Sequence, residues 1–285
     1  MIIAGIVVVY YPDEDDLLQN ITSYLGFLDR LYIIDNTPET RPYQEKFKQL
    51  PPPITYIKND RNLGVASALN MAVSAASEEG YRWLLTMDQD SRFEPAVSTQ
   101  YLNLFNEKFQ HSQDVAIVCL KHGACPRSAV EASDYTFVTE AITSGSLLNI
   151  PVCRKLNGFD EKLFIDEVDF EYCYRCILNG YKIAQFEHLY LTHNLGVPKQ
   201  TGYFGFFKKS SRILHSPFRI YFMVRNYFYV SSKYAKAFPK EFKLKRKQLL
   251  VTLKNNLLFS GHFFKVLFAA VRGYLHYRTN NFLNK

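Results

Sequence analysis

The chain has 285 residues, 47% of them hydrophobic and 15% aromatic, with a formal net charge of +7. This is enough for a full core in one domain plus a sizeable appendage, and it excludes a disordered or fibrous chain. Five cysteines, an odd and sparse number, exclude a secreted disulfide framework. Met1 to Tyr10 runs directly into Asp13-Glu14-Asp15-Asp16, so no signal peptide is read and a cytoplasmic protein with reduced thiols is expected.

The net charge conceals a split at Pro198. Residues 1–198 carry 16 Lys/Arg against 26 Asp/Glu, whereas 199–285 carry 18 against one, Glu241. Two parts with different partners are implied. A strongly basic segment attracts polyanions, either nucleic acid or the anionic inner leaflet of a membrane.

From the N-terminus, β-rich runs alternate with helical patterns. Strands are predicted at Ile2 to Tyr10, Leu31 to Asp35, Ile54 to Lys58, Trp83 to Met87 and Val115 to Leu120, and helices near Glu14 to Leu25, Val65 to Ser77 and Pro95 to Phe109. The pattern predicts an α/β fold with a mostly parallel sheet of βαβ units, in which ligands bind beyond the carboxyl ends of the strands. Polar residues stand at those ends: Tyr10-Tyr11-Pro12-Asp13, Asp35-Asn36, Asn59-Asp60-Arg61-Asn62 and Asp88-Gln89-Asp90. The first strand-to-helix turn has no GxGxxG, which disfavours a nicotinamide enzyme, and no GxxxxGK[ST] occurs. Cys173 and Cys176 form a CxxC without a second pair to complete a zinc site, so core thiols are expected. Beyond Pro198, aromatic and basic residues intermix, as in Tyr203 to Lys209 and Phe218 to Phe222, predicting helices with basic faces. The longest uncharged stretch there, Asn255 to Phe264, is far below the ~20 residues that span a bilayer.

Asp88 and Asp90 leave the end of a buried-looking strand together, a donor pair suited to Mg2+ or Mn2+ with positions left open for substrate phosphates. Asn62-Leu63-Gly64 opens a helix whose small residues allow close approach of a diphosphate or sugar, or merely pack it on the sheet. Asp35 either accepts from a pyrimidine ring N–H or acts as the N-cap of a helix after it. Five acids, Asp160, Glu161, Asp166, Glu167 and Asp169, are interleaved with apolar residues, a setting that raises a carboxyl pKa toward that of a general base. Asp166 and Glu167 are favoured for catalysis, while Asp169 reads equally as a cap that could hold Arg175. His193 reads as structural, as part of the metal shell or as a contact to a leaving diphosphate.

In their order and spacing these segments resemble the inverting family-two glycosyltransferases of GT-A fold, in particular the bacterial rhamnosyltransferase-like branch. The resemblance runs over about residues 3 to 230. It is carried by Val8 to Pro12, Ile34-Asp35-Asn36, Asn62 to Ala66 with Asn70, Asp88 to Ser91, Thr143-Ser144-Gly145, Gly158 to Glu161, Phe164-Ile165-Asp166 with Val168-Asp169, His193 with Gly196, and Arg225-Asn226. It implies a GT-A catalytic domain over 1–198, with its acceptor side from about residue 120, and a basic helical region over 199–285 for membrane association. Tyr10 and Asp35 would hold the nucleoside, Asn62 and Gly64 would border the donor, and Asp88 and Asp90, with His193, would hold Mn2+ or Mg2+ and the diphosphate. Asp166 or its neighbour Glu167 would be the base. The implied donor is dTDP-L-rhamnose, with a UDP-sugar as alternative, and the acceptor is a lipid-linked saccharide of a surface polysaccharide at the inner face of the cytoplasmic membrane. From another class, the basic tail alone would suit a nucleic-acid-binding protein, but an acidic α/β part ending strands in a DxD speaks against that partner.

Overall fold

The computed structural model describes residues 3–39, 47, 50, 53–123, 134–193, 199–201 and 210–282. Cys125, Gly196, Pro198 and the Tyr203 to Lys209 run lie outside the described residues. The chain divides into two compact units, Met1–Glu161 with Val168–Asn194, and Lys162–Glu167 with Leu195–Lys285. The short segment carrying Asp166 and Glu167 therefore folds with the C-terminal helices rather than with the chain on either side of it.

In the first unit, strands β1 (Ile3–Val9), β2 (Arg30–Asp35), β3 (Ile54–Lys58) and β4 (Trp83–Asp88) are parallel and ordered β3-β2-β1-β4. β1 is apolar throughout because both its faces are covered, as parallel central strands require. Helices α1 (Glu14–Leu25), α2 (Val65–Glu78) and α3 (Pro95–Lys108) supply crossovers and cover, close to the positions that periodicity predicts. Asp13 caps α1, its side chain accepting from the amides of Asp15 and Asp16. The strand order turns back between β1 and β4, which is where open α/β sheets form their ligand crevice.

Beyond β4 the sheet ceases to be purely parallel. The expected fifth strand, here β6 (Val115–His122), does not follow β4; β8 (Ser146–Asn149) lies antiparallel between them. β9 (Lys182–His193) then runs parallel to β6, and the short β5 (Ser91–Arg92) and β7 (Tyr135–Phe137) pair antiparallel with β9. The turn into β8 rests on Gly145, whose φ of 75° is left-handed and whose amide donates to the Thr86 carbonyl at 2.8 Å. Helices α4 (Ile150–Lys155) and α5 (Val168–Leu178) complete the unit. Cys119, Cys153, Cys173 and Cys176 are buried free thiols, and burial pushes Cys119, Cys153 and Cys176 up to about 12.

In the second unit, β10 (Lys199–Thr201) and β11 (Ser210–Arg212) pair antiparallel, followed by α6 (Pro217–Tyr234), α7 (Pro239–Phe259) and α8 (Phe263–Arg278). Helices α6 and α8 pack so closely that a Cβ at Gly273 would lie 2.5 Å from the Tyr221 carbonyl oxygen. α8 turns its small residues inward, burying Val266, Ala269 and Gly273, while Phe264, Leu267, Phe268, Val271 and Leu275 stay exposed. Among the described residues no helix is long and apolar enough to cross a membrane.

A Cβ on Gly145 would stand 2.8 Å from Leu120 and 2.9 Å from Leu191, in addition to the left-handed backbone. Gly145→Ala is expected to lower stability by about 1–3 kcal/mol, seen as a shift of the urea midpoint at constant slope.

Candidate functional site

Strand ends of the first unit are tied in pairs by side-chain amides. Tyr10, exposed just after β1, exchanges two hydrogen bonds with Gln89 beyond β4: its amide donates to Oε1 at 2.8 Å and its carbonyl accepts from Nε2 at 3.3 Å. Gln89, the middle residue of the DxD, is therefore the brace between the strands at the crevice, while Asp88 is half-buried and Asp90 exposed. The Asp88 amide donates to Ser144 Oγ, so the turn before β8 also steadies this end of β4.

Asp35 ends β2 fully buried. Its Oδ1 accepts from the Thr37 amide at 2.7 Å and its Oδ2 from the Tyr56 hydroxyl, so the carboxylate holds its own turn as an Asx residue does. Its neighbour Asn36 stands out in the chain only as part of a dipeptide, yet it ties the donor-side loop together. Asn36 Nδ2 donates to the Gly64 carbonyl at 3.1 Å, and its Oδ1 accepts from Asn59 Nδ2 at 2.9 Å. Asn62 Oδ1 in turn accepts from the Gly64 amide at 2.9 Å. Gly64, at φ 84° and ψ 172°, occupies a backbone region open essentially only to glycine and leads into α2, whose N-terminus has no side-chain cap. The Leu63 and Gly64 amides are spent on Asn36 and Asn62, and the N–H groups suited to an anion are those of the uncapped first turn of α2.

On α2, Asn70 grips the loop after α4. Its Oδ1 accepts from the Phe159 amide at 2.7 Å, and its Nδ2 donates to the Phe159 carbonyl at 3.0 Å and to Glu161 at 2.8 Å. Gly158 is required there, since a Cβ would fall 2.4 Å from Asn70 Oδ1. Asp169 accepts from the Thr143 amide at 3.3 Å, whereas Arg175 pairs with buried Glu171 at 2.8 Å and donates to the Gly158 carbonyl at 2.7 Å. Glu171 lies one turn before Arg175 on α5, and the i,i+4 spacing places the two side chains on one face.

For a divalent cation the first unit offers hard carboxylate oxygens at Asp88 and Asp90, and the β5–β9 ladder sets the His193 backbone directly opposite Ser91, the residue after Asp90. Among the described residues no group of three or more His, Cys, Asp or Glu is assembled to hold a metal. The two carboxylates fit Mg2+ or Mn2+, which bind through one or two protein carboxylates and complete their shells with substrate phosphates.

The second unit holds the acidic pair. Phe164, Asp166 and Glu167 all adopt left-handed backbone, with φ of 59°, 61° and 63°. Such conformations are uncommon for these residue types, cost of order 1–3 kcal/mol each and persist only where neighbours over-determine them. The neighbours are Arg225 and Asn226 on α6, both fully buried. The Asn226 amide group shares its two N–H bonds among the carbonyls of Leu163 at 2.7 Å, Ile165 at 2.6 Å and Asp166 at 3.0 Å. Arg225 donates to the Lys162 carbonyl at 2.6 Å and to Asn226 Oδ1 at 2.9 Å. Phe164 stacks on Phe222 with centroids 5.0 Å apart.

Each acid of the pair has a cation beside it. Asp166 Oδ1 meets Arg219 at 3.0 Å, and Glu167 meets Lys245 at 3.1 Å. Lys245, in sequence one more charge of the basic tail, is buried. The pair therefore lies among ion pairs rather than in the apolar pocket that the surrounding Phe and Ile suggested. Of the two, Asp166 keeps an oxygen, Oδ2, with no hydrogen-bond partner among the described residues, whereas Glu167 Oε2 faces the Lys245 ammonium.

Residues 5–124 match the family model described as glycosyl transferase family 2. A dTDP-rhamnosyl transferase, RfbF, of Shigella flexneri is 26% identical over 250 residues, covering 81% of this chain and 80% of its own. Among solved structures, that of GalNAc-T7 with UDP, GalNAc and Mn2+ shares the fold at a TM-score of 0.62 and 10% identity. The match covers 98% of this chain, which spans 56% of the length of that one.

Removing the amide clamp should release the left-handed segment. Asn226→Ala is expected to lower stability by about 2–4 kcal/mol, because the carbonyls of Ile165 and Asp166 lose this donor and that of Leu163 keeps only Arg225 and the Ile165 amide. Hydrogen exchange should report it first at the amides of residues 162–167, before those of the β1–β4 sheet.

Proposed function

We propose that the chain, whose residues 5–124 match the model of glycosyl transferase family 2, is an inverting, metal-dependent glycosyltransferase that moves L-rhamnose from dTDP-L-rhamnose to a lipid-linked saccharide. The observation that carries this reading is the pair of carboxylates at the β1–β4 crevice, Asp88 and Asp90, in a chain 26% identical to a dTDP-rhamnosyl transferase. Tyr10 and the Asp35 turn hold the nucleoside, and Asn62 and Gly64 border the donor. A UDP-sugar is the alternative donor, since a pyrimidine contact alone does not separate the two.

Asp88 and Asp90, with His193, would hold Mn2+ or Mg2+, which supplies charge stabilisation at the leaving diphosphate. Asp166 or Glu167 takes the proton from the acceptor hydroxyl, whose oxygen attacks the anomeric carbon from the face opposite the nucleotide, so that configuration inverts. Asp166 Oδ2 has no hydrogen-bond partner among the described residues, whereas both oxygens of Glu167 face Lys245, which favours Asp166 as the base. Arg219 beside Asp166 steadies the carboxylate through its other oxygen.

The basic helices suit peripheral attachment to the inner leaflet of the cytoplasmic membrane. Lys243, Arg246, Lys247 and Lys254 line one exposed face of α7 with Leu250 and Val251, and each such cation near an anionic surface contributes about 1 kcal/mol. Lys245 takes no part, being buried against Glu167.

Two measurements test the reading. Asp90→Ala should abolish Mn2+-dependent hydrolysis of dTDP-L-rhamnose with unchanged thermal unfolding; full activity of that variant in EDTA would remove the metal from the mechanism. Asp166→Asn should lower turnover by ~100-fold or more with little change in donor binding, and Glu167→Gln less so. Near-normal turnover in both amides would leave the acidic pair a structural feature.

Reversing charge at Lys243, Arg246 and Lys247 should abolish co-sedimentation with anionic vesicles while donor hydrolysis is retained. Wild-type protein that ignores anionic vesicles but binds nucleic acid in a salt-sensitive manner would overturn the membrane role.

A further inference from the structure

Helix α1 buries Leu17, Asn20, Ile21, Tyr24 and Leu25. These are the core positions of an amphipathic helix, and an asparagine among them lowers stability unless its amide is bonded. Asn20 is only 5% exposed, and its Nδ2 donates to the carbonyl of Gln89, 69 residues away, at 2.9 Å. Next on the same face, Ser23 Oγ donates to the Asn20 carbonyl at 2.6 Å and accepts from the Phe93 amide at 3.0 Å. The Phe93 ring meets those of Tyr24 and Phe27 edge to face, with centroids 6.5 and 5.7 Å apart. The inner face of α1 thus grips the segment 89–93, which contains Asp90, at both its ends.

Gln89 stands between Asp88 and Asp90, and its carbonyl lies in the same rigid peptide plane as the Asp90 amide. Fixing that carbonyl fixes the direction in which the backbone carries Asp90 away from Asp88. Two other bonds of the turn act elsewhere: Ser144 Oγ takes the Asp88 amide at 3.1 Å, and the Tyr10 backbone holds the Gln89 side chain. Neither of these orients the peptide that joins Gln89 to Asp90.

We propose that Asn20 is a positioning residue for the metal pair: through the Gln89 carbonyl it sets the spacing of the Asp88 and Asp90 carboxylates at which a divalent cation binds. The proposal rests on the metal-dependent reading of that pair, and it gives Asn20 no contact with metal or donor. Asn20→Leu keeps the bulk of the side chain and Asn20→Ala leaves a gap, but both remove the donor. Leu17→Ala, on the same helix, disturbs the core without touching the turn. The full-length wild type and each variant are titrated with Mn2+ in the presence of dTDP, the loss of the free-ion EPR signal being read against a protein-free blank, and thermal unfolding is recorded alongside.

Both Asn20 variants should bind Mn2+ about tenfold or more weakly, as loss of a group that orients a metal ligand does. Saturating Mn2+ should restore most of their donor hydrolysis, a rise in the metal constant rather than a fall in kcat. Leu17→Ala should unfold at a lower temperature with its Mn2+ affinity unchanged. Equal Mn2+ binding by the wild type and both Asn20 variants would overturn the proposal. An equal loss of affinity in Leu17→Ala would also overturn it, leaving Asn20 a core residue only. A wild-type chain that takes up no Mn2+ with dTDP would remove the metal reading itself, and the proposal with it.

Discussion

One buried carboxamide holds the acidic segment in its shape. Asn226 gives its two N–H bonds to three carbonyls within residues 163–166, and such saturation keeps Phe164, Asp166 and Glu167 together in the left-handed region. A side chain with one donor would leave carbonyls buried and unmet, at about 1–3 kcal/mol each. An alkyl side chain would take this donor from Ile165 and Asp166 together, leaving only Leu163 with donors of its own in Arg225 and the Ile165 amide. Arg225 completes the arrangement by fixing the Asn226 oxygen, so the amide cannot flip without losing bonds on both sides. The positions of the two carboxylates, and of the cations beside them, depend on this pair on α6.

The same device recurs in the first unit. Asn36 ties β2 to the Gly64 turn, Asn70 ties α2 to the Gly158 loop, and Gln89 ties β4 to the end of β1. Side-chain amides offer a donor and an acceptor at once, so they can bridge backbone segments that no ladder joins. Loops built this way are held to fixed positions without being buried as strands, which suits a crevice that must stay open to substrate.

Much of this was legible in the chain. The first four strands and three helices can be read from hydrophobic period and turn residues, because parallel central strands advertise themselves as apolar runs. The Asp88-Gln89-Asp90 turn is legible for the same reason: Trp83 to Met87 ends abruptly in charge. β8 and β5 are not legible in the chain. Four residues and two residues carry no period, and both exist only through pairing with strands distant in sequence. The left-handed run was equally hidden, since Phe, Asp and Glu do not announce positive φ as glycine does. Lys245 reads as one cation among many because burial beside Glu167 is a property of packing, not of composition. Asp35 read two ways, and its buried oxygens hold the Thr37 turn and the Tyr56 hydroxyl.

The separation between Asn226 and the turn it holds has a consequence for synthesis. About 60 residues lie between them, so at 5–20 residues per second a nascent chain waits roughly 3–12 s between making the acidic segment and making its clamp. During that interval the sheet up to β9 can form, while residues 162–167 lack the groups that impose their conformation. A ribosome stalled before α6 would therefore release a chain able to build the β1–β4 crevice but not the acidic turn, and order of assembly is written into the distance between two asparagine-bonded segments.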